Sequence, residues 1–134
     1  MEIKVKVENG KVPVTVMHID GNVDGSTYDA FLAKARELIK EGAHYILMDL
    51  THTAFMSSAG LRAINTIYNE LRSLHPDANL SDEDVKKGIA SGTYKSPHLK
   101  LLNPSRDVHA SLTATGFDLF LEIHTDYNSA IASY

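Results

Sequence analysis

The sequence predicts an α/β fold: a mixed central β-sheet of about five strands, packed with about four helices, and a helical insertion at residues 76–97. Segments with a period of two and segments with helical periodicity follow one another in the order β-β-α-β-α-β-α-β-α. Residues 44–50 are apolar at both alternating positions for most of their length, which is typical of a central strand covered on both faces. A chain of 134 residues with 43% hydrophobic and 22% charged residues suits one compact domain, expected over residues 1–134.

The first two strands form a predicted hairpin. Residues 3–7 alternate apolar and charged side chains, which indicates a strand with one solvated face. The dipeptide Asn9-Gly10 follows, and both residue types tolerate the positive φ of a tight hairpin turn. Residues 12–19 are the returning strand, where Pro13 cannot donate to the ladder and therefore favours an edge-facing position.

The first helix follows a turn-rich loop at residues 20–25. Ser26 or Thr27 can cap this helix, and Gly42 is placed to end it. Its apolar residues share one face, which indicates that the helix packs on the sheet. They are Phe31, Leu32, Ala35, Leu38 and Ile39.

The second helix is predicted to begin at Ser58, after a loop at residues 51–57, and to end at His75-Pro76. Residues 98–102 form the next strand. The stretch 103–105 then starts a further helix.

The C-terminal part contains a strand predicted from alternation and a short terminal helix. Gly116 closes the preceding helix. Thr125 is the expected cap of the last helix. The alternating apolar residues between them are Phe117, Leu119, Leu121 and Ile123.

Residues 76–97 interrupt the alternation of strands and helices. Ser81 followed by three acids, with lysines about one turn later, predicts a short capped helix. Because this segment has few apolar residues, we expect it to lie outside the core as an insertion.

The composition disfavours several functions. A net charge of −4 leaves no excess of cations to neutralise nucleic-acid phosphates, so no nucleic acid is expected as a partner. The absence of cysteine removes disulfides, thiol catalysis and thiolate metal sites. No apolar run has the length of a membrane span or the shape of a signal peptide, so no membrane association and a cytoplasmic location are expected.

No catalytic, metal or cofactor site is predicted. The seven histidines show neither the i, i+4 spacing nor the sequence clustering of a helical metal site. Gly21 and Gly25 lack the following Lys-Ser/Thr of a phosphate loop. Ser58-Ala59-Gly60 lacks the first glycine of a hydrolase nucleophile elbow, so we expect a protein that is not an enzyme.

Residues 48–61, which read MDLTHTAFMSSAGL, resemble the signature of STAS domains, specifically of bacterial anti-sigma factor antagonists. In that family an Asp-Leu strand end leads through a short loop to a Phe/Tyr-Met-Asp-Ser-Ser/Thr/Ala-Gly-Leu motif. Residues 21–24 are similar to the family's Gly-x-Leu/Ile-Asp loop, and residues 101–117 to its closing segment. The resemblance covers nearly the whole chain and implies a STAS fold.

The resemblance implies a protein that binds an anti-sigma factor, which is also a serine kinase, and is released when phosphorylated. The modified residue is by position Ser58, with Ser57 as the less favoured alternative, and a separate phosphatase resets the switch. A monomer or weak dimer is expected. The partner-binding residues implied are Asn22, Asp24, Thr53, Ser57, Ser58, Ala59, Gly60 and Leu61.

Two departures from the family pattern leave alternatives open. Ser57 occupies the position of the motif's aspartate, and residues 76–97 replace a short turn. Ser57 and Ser58 can also act as plain helix caps, and Asp24 can cap the first helix or shape its loop. The alternatives are a STAS scaffold or subunit that is not phosphorylated, and a module that senses a nucleotide or lipid.

Overall fold

The computed structural model describes residues 1–75 and 80–134. The strands are β1 (Glu2–Asn9), β2 (Pro13–Asp20), β3 (Ile46–Asp49), β4 (Leu99–Leu102) and β5 (Ile123–His124). The helices are α1 (Tyr28–Lys40), α2 (Ser58–Leu74), α3 (Asp82–Ser91), α4 (Arg106–Ala114) and α5 (Tyr127–Ala132), with a 3-10 helix at Phe117–Leu119. Among these, no helix combines the length and the apolar composition needed to cross a membrane.

The five strands form one mixed sheet in the order β1-β2-β3-β4-β5. β1 is antiparallel to β2, and the other neighbours are parallel. The predicted α/β class and mixed sheet are therefore confirmed, and β3 occupies the predicted central position. Because β2, β3 and β4 run in parallel, their carboxyl ends lie at one edge, where the loops that follow β2 and β3 also meet.

The β1–β2 hairpin is present, but its turn differs from the predicted one. Asn9 pairs with Pro13, so three residues, 10–12, form the loop. Gly10 does not take a positive φ; an added Cβ there would lie 3.0 Å from Ile131. The hairpin loop is thus fitted against α5.

β1 is an edge strand, and its predicted apolar face is largely open. Val5 is 37% exposed and Val7 is 55% exposed, while Ile3 is half-buried. The helices on that side pack against β2, β3 and β4, and of β1 only Ile3 contacts this core. The alternation therefore predicted the strand correctly but not the burial of its apolar face.

The main core lies between the sheet and the helices on one side of it. Apolar residues of α1, α2 and α4 pack there against β2, β3 and β4. The opposite face of the sheet carries a smaller cluster, which α5 covers with Ala130 and Ile131. Fully buried side chains of the main core include Met17, Phe31, Met48, Ile64, Ile67 and Leu101.

The insertion is helical, as predicted, but the expectation that it lies outside the core was wrong for its described part. Ser81 caps α3 in a reciprocal capping box with Asp84. Val85 is 3% exposed and Tyr94 is 7% exposed, and both belong to the main core cluster. Residues 76–79 of the predicted insertion lie outside the described residues.

The predicted alternating strand after α4 is present only at its end: residues 117–119 form the 3-10 helix, and β5 at Ile123–His124 pairs with β4. Gly116, at a φ of 80°, leads into the 3-10 helix, and the amide of Leu121 donates to the carbonyl of Phe117. Phe117 and Leu121 are buried, but Leu119 between them is 47% exposed, so these apolar residues do not share one buried face as they would in a strand. Asp126, and not Thr125, caps α5, because its carboxylate accepts from the amide of Ser129 at 2.8 Å.

Candidate functional site

Two loops at the carboxyl edge of the sheet are joined by backbone hydrogen bonds. The first loop follows β2 (residues 21–27), and the second loop follows β3 (residues 50–57). The amide of Val23 donates to Phe55 at 3.1 Å, and the amide of Ser57 donates to Val23 at 2.8 Å. These bonds fix the two loops to each other at the start of α2.

Gly60, in the first turn of α2, lies directly against this junction. A Cβ at that position would be 2.7 Å from Cγ of Met56, 2.9 Å from the carbonyl oxygen of Val23 and 3.0 Å from its Cγ1. Contacts that short require the helix or the first loop to move. Glycine therefore lets the helix approach both loops closely.

Replacing Gly60 with alanine should lower the free energy of unfolding by about 1 kcal/mol. Helix propensity alone predicts a gain of about 1 kcal/mol for this change. Overpacking against the Val23 backbone costs about 1–3 kcal/mol and should exceed that gain. Urea unfolding followed by circular dichroism measures the difference.

The control for this substitution is Gly25→Ala. A Cβ added at Gly25 would meet no other atom within 4 Å, and the φ of this residue is not positive. Its replacement should change stability by less than about 0.5 kcal/mol. If Gly60→Ala instead stabilises the protein, the close approach of α2 to the first loop does not require glycine at this position.

The two adjacent serines have different structural roles. Ser57 is half-buried and is the N-cap of α2, with its hydroxyl accepting from the amide of Gly60 at 3.4 Å. Ser58 is the first residue of the helix and is exposed. Its hydroxyl is therefore available on the surface, whereas that of Ser57 is used locally.

The first loop places Asn22 and Asp24 beside this helix start. Asn22 is exposed and Asp24 is half-buried. The Asp24 carboxylate accepts from the hydroxyl of Ser26 at 2.7 Å and from its amide at 2.9 Å. These bonds, together with those from Thr27, lower the pKa of the Asp24 carboxyl. Asp24 thus holds the loop in shape and remains anionic, while Thr27 takes the N-cap position of α1 without a side-chain cap bond.

Other residues predicted to contact a partner lie below the surface. Thr53 is fully buried, and its hydroxyl donates to the carbonyl of Ile19 at 2.9 Å. Gly60 and Leu61 are also buried, and Ala59 is half-buried. The position of Thr53 suits the anchoring of the second loop to the sheet, so any influence on a partner would act through that loop.

Asp49 is a second acid near Ser58 in the sequence, but its side chain lies on the face of the sheet that α5 covers, and α2 packs on the other face. Burial alone would raise the pKa of its carboxyl, but hydrogen bonds from Thr51 and His18 outweigh burial and lower it. The His18 Nδ1 atom is 2.7 Å from Asp49, and the His18 ring stacks on Tyr127 of α5. The carboxylate is therefore engaged away from α2.

A groove of about 400 Å³ runs beside Ser58, between α2 and the 3-10 helix. Most of its lining was missed by sequence reasoning, because Phe117 and Phe120 lie in the turn that was predicted as a strand. Arg62 could have been found from its spacing of four residues after Ser58. The lining residues are Ser58, Leu61, Arg62, Asn65, Thr115, Phe117 and Phe120.

Large apolar side chains are exposed in the second loop and in the 3-10 helix. Phe55 in the second loop is 51% exposed, and Leu119 in the 3-10 helix is 47% exposed. The second loop is also tied to α4, since the Ser105 hydroxyl donates to the carbonyl of Ala54 at 3.4 Å. Phe55 belongs to the loop that ends at the N-cap of α2, and aromatic residues are enriched in protein–protein interfaces.

The first turn of α2 contains no acidic side chain, whereas α1, α3 and α4 each have at least one. The positive end of the helix dipole is consequently not balanced by a carboxylate on the helix itself. An anion added at Ser58 would be placed favourably with respect to this dipole.

The structure brings three histidines together that the sequence did not suggest as neighbours. The ring centroids of His44 and His75 are 3.5 Å apart, and His98 lies 4.8 Å from His44. Burial and the neighbouring His75 lower the pKa of His44. In the described part of the chain, no three His, Asp or Glu side chains are arranged to hold a metal ion.

Comparison with known proteins supports the resemblance found in the sequence. Residues 3–75 match the model of the STAS domain family. No curated protein matches the chain. Solved structures do match it, at sequence identities that are informative about the fold alone.

Three such structures cover most of the chain. A candidate anti-sigma factor antagonist from Thermotoga maritima matches with a TM-score of 0.71 and 17% identity, over 96% of this chain and 90% of its own. An anti-sigma factor antagonist from Mycobacterium paratuberculosis matches with a TM-score of 0.68 and 17% identity, over 98% of this chain and 93% of its own. SpoIIAA of Bacillus, in its phosphorylated form, matches with a TM-score of 0.63 and 18% identity, over 97% of this chain and 96% of its own.

Proposed function

The chain belongs to the STAS domain family, and from that premise we propose that it is an anti-sigma factor antagonist controlled by phosphorylation at Ser58. In this role it binds an anti-sigma factor that is also a serine kinase, and catalyses no reaction itself. Phosphorylation by this kinase ends the complex, and a phosphatase restores binding. The binding surface consists of the first loop, the second loop and the exposed side of α2.

The observation that carries the proposal is the exposure of Ser58 at the first position of α2. A kinase must reach the hydroxyl that it modifies, and Ser58 offers one next to a groove and two fixed loops. Ser57, by contrast, is half-buried and bonded to the backbone. Of the two motif serines, Ser58 is therefore the one suited to modification.

The effect of phosphate at this position follows from charge. A phosphoserine adds about −1.5 to −2 charges at neutral pH. Backbone amides in the first turn of α2 can donate hydrogen bonds to the phosphate without refolding of the helix. At a docked surface the same charge must be desolvated or repelled, and Asp24 in the first loop adds to the repulsion.

The replacement of the family's aspartate by Ser57 is compatible with this mechanism. Aspartate and serine are both favoured N-cap residues, because each offers an oxygen to an unpaired helix amide. Ser57 performs this task here. The substitution thus keeps the start of α2 and removes one negative charge from the surface.

Two of the similar structures support a phosphorylation switch by analogy. SpoIIAA is described as an anti-sigma factor antagonist, and its structure is known in the unphosphorylated and the phosphorylated form. The match at 18% identity to the phosphorylated form covers 97% of this chain. A phosphorylated protein of this fold therefore keeps a comparable overall structure.

The direct test is phosphorylation by the cognate kinase. The Ser58→Ala variant serves as bait to isolate a kinase-type anti-sigma factor, which is then incubated with the unsubstituted protein and ATP. Mass spectrometry should find one phosphate, on the peptide that contains Ser58. The Ser57→Ala variant should still be phosphorylated, and the Ser58→Ala variant should not.

A result without phosphate on either serine would contradict the proposed switch and favour a STAS scaffold. Phosphate on Ser57 alone would show that the half-buried cap is the target. A melting temperature raised by a nucleotide or lipid, without phosphorylation, would instead favour a ligand sensor.

A further inference from the structure

Arg62 lies one helical turn after Ser58 on the exposed side of α2. Both residues line the groove between α2 and the 3-10 helix. Arg62 also borders a second cavity, on the side of α1, together with Tyr28 and Leu32. Its side chain therefore stands between these two depressions, within the surface proposed to bind the partner.

The guanidinium of Arg62 has no ion pair or hydrogen bond with any residue in the described part of the chain, unlike two other arginines. Arg36 pairs with Glu70 at 2.7 Å, and Arg72 pairs with Asp82 at 2.8 Å. None of the residues lining the two depressions beside Arg62 is acidic. A positive charge with five donors is thus available next to Ser58.

The spacing suits a phosphate on Ser58. Side chains at positions i and i+4 of a helix are neighbours, with Cβ atoms about 5–6 Å apart. An anion that precedes a cation by four residues is the more favourable order, because each charge also agrees with the helix dipole. A guanidinium can donate two parallel hydrogen bonds to phosphate oxygens.

We propose that Arg62 is the counter-charge that binds the phosphate on Ser58. The inference rests on the proposed function, since it requires Ser58 to be the modified residue. Phosphorylation then changes the surface in two ways: it adds an anion at the helix start, and it withdraws the guanidinium from the groove. An acidic group of a partner that used Arg62 would lose this contact at the same time.

The phosphate itself reports the contact, independently of any partner. Phosphoserine is incorporated at position 58 of the full chain by genetic encoding, and its second pKa is measured by 31P NMR. A nearby cation favours the dianion, so Arg62 should hold this pKa low. Arg62→Gln should raise it by about 0.3 pH unit, the size expected of an exposed i, i+4 pair. Arg62→Lys should give an intermediate value.

The control is Lys86→Gln on α3, which removes the same charge from an exposed position. α3 begins beside Arg72, near the other end of α2, and this substitution should leave the phosphate pKa unchanged. A second readout is the Nε–H resonance of Arg62, which should shift when phosphoserine replaces Ser58.

Two outcomes would overturn the inference. One is a phosphate pKa in Arg62→Gln within about 0.1 unit of that in the otherwise unsubstituted phosphoprotein. The other is an Arg62 resonance that does not respond to phosphoserine. Failure of the kinase to modify Ser58 is a different result: it contradicts the proposed function, while the encoded phosphoserine still measures the contact.

Discussion

Replacing Ser58 with glutamate should weaken binding to the kinase-type anti-sigma factor by about 30-fold, equivalent to about 2 kcal/mol. A carboxylate at this exposed position brings a negative charge into the proposed interface near Asp24, where it must be desolvated or repelled. Ser58→Ala, which adds no charge, should bind like the unsubstituted protein and should resist phosphorylation. Isothermal titration calorimetry with the purified partner measures all three affinities.

The neighbouring serine provides the matched control. Ser57→Ala removes the cap of α2 and should lower the free energy of unfolding by about 1 kcal/mol. Ser58→Ala removes an exposed hydroxyl and should change stability by less than about 0.5 kcal/mol. Equal affinities of Ser58→Ala and Ser58→Glu for the partner would contradict the proposal that a negative charge at Ser58 controls binding.

The second large effect is expected on the sheet face that α5 covers. Lys100 is 3% exposed, and its Nζ atom lies 3.1 Å from Glu122 and 2.9 Å from the carbonyl of Ser133. It also lies 4.6 Å from the centre of the Tyr134 ring. Glu122→Gln leaves this buried cation without its carboxylate and should cost about 2 kcal/mol of unfolding free energy. This value allows for the partial exposure of Glu122 and for the remaining bonds to Ser133.

A double variant separates the cost of an unpaired charge from the loss of the pair. Lys100→Met together with Glu122→Gln should be more stable than Glu122→Gln alone, because no buried charge remains. Glu83→Gln is the surface control, since the Lys87–Glu83 pair is 3.8 Å long and more than 70% exposed on both sides. It should cost less than about 0.5 kcal/mol. Equal losses from Glu122→Gln and Glu83→Gln would contradict a stabilising role for the buried pair.

Much of the local structure follows from the order of residue types. The helix beginning at Ser58 was predicted at its observed first residue, because serine, a favoured N-cap residue, stands where an apolar helical pattern starts. The capped helix at Ser81 was predicted for the same reason. The alternating residues after Gly116 were misleading, because residues 117–119 form a 3-10 helix that buries Phe117 and exposes Leu119, and the strand covers only Ile123–His124.

The position of the candidate site along the chain was predictable, but which of its residues are exposed and which others surround them was not. The motif identified Ser57 and Ser58 together, and both serines suit the start of a helix. Thr53, which the resemblance placed among the partner contacts, is buried under the second loop. Phe120 and Arg62 border Ser58, although one of them is about sixty residues away in the chain.

The sequence by itself determined the α/β class, the membership suggested by the motif at residues 48–61 and the start of the helix that carries Ser58. These depend on periodicity, capping and short-range turn chemistry, which act within a few residues. Only the tertiary structure decided that Ser58 is the exposed serine of the pair and that a Cβ at Gly60 would contact the two loops too closely. It also decided that the guanidinium of Arg62 pairs with none of the described residues. Exposure and pairing depend on which distant loops and helices pack around a residue, and short-range patterns do not contain that information.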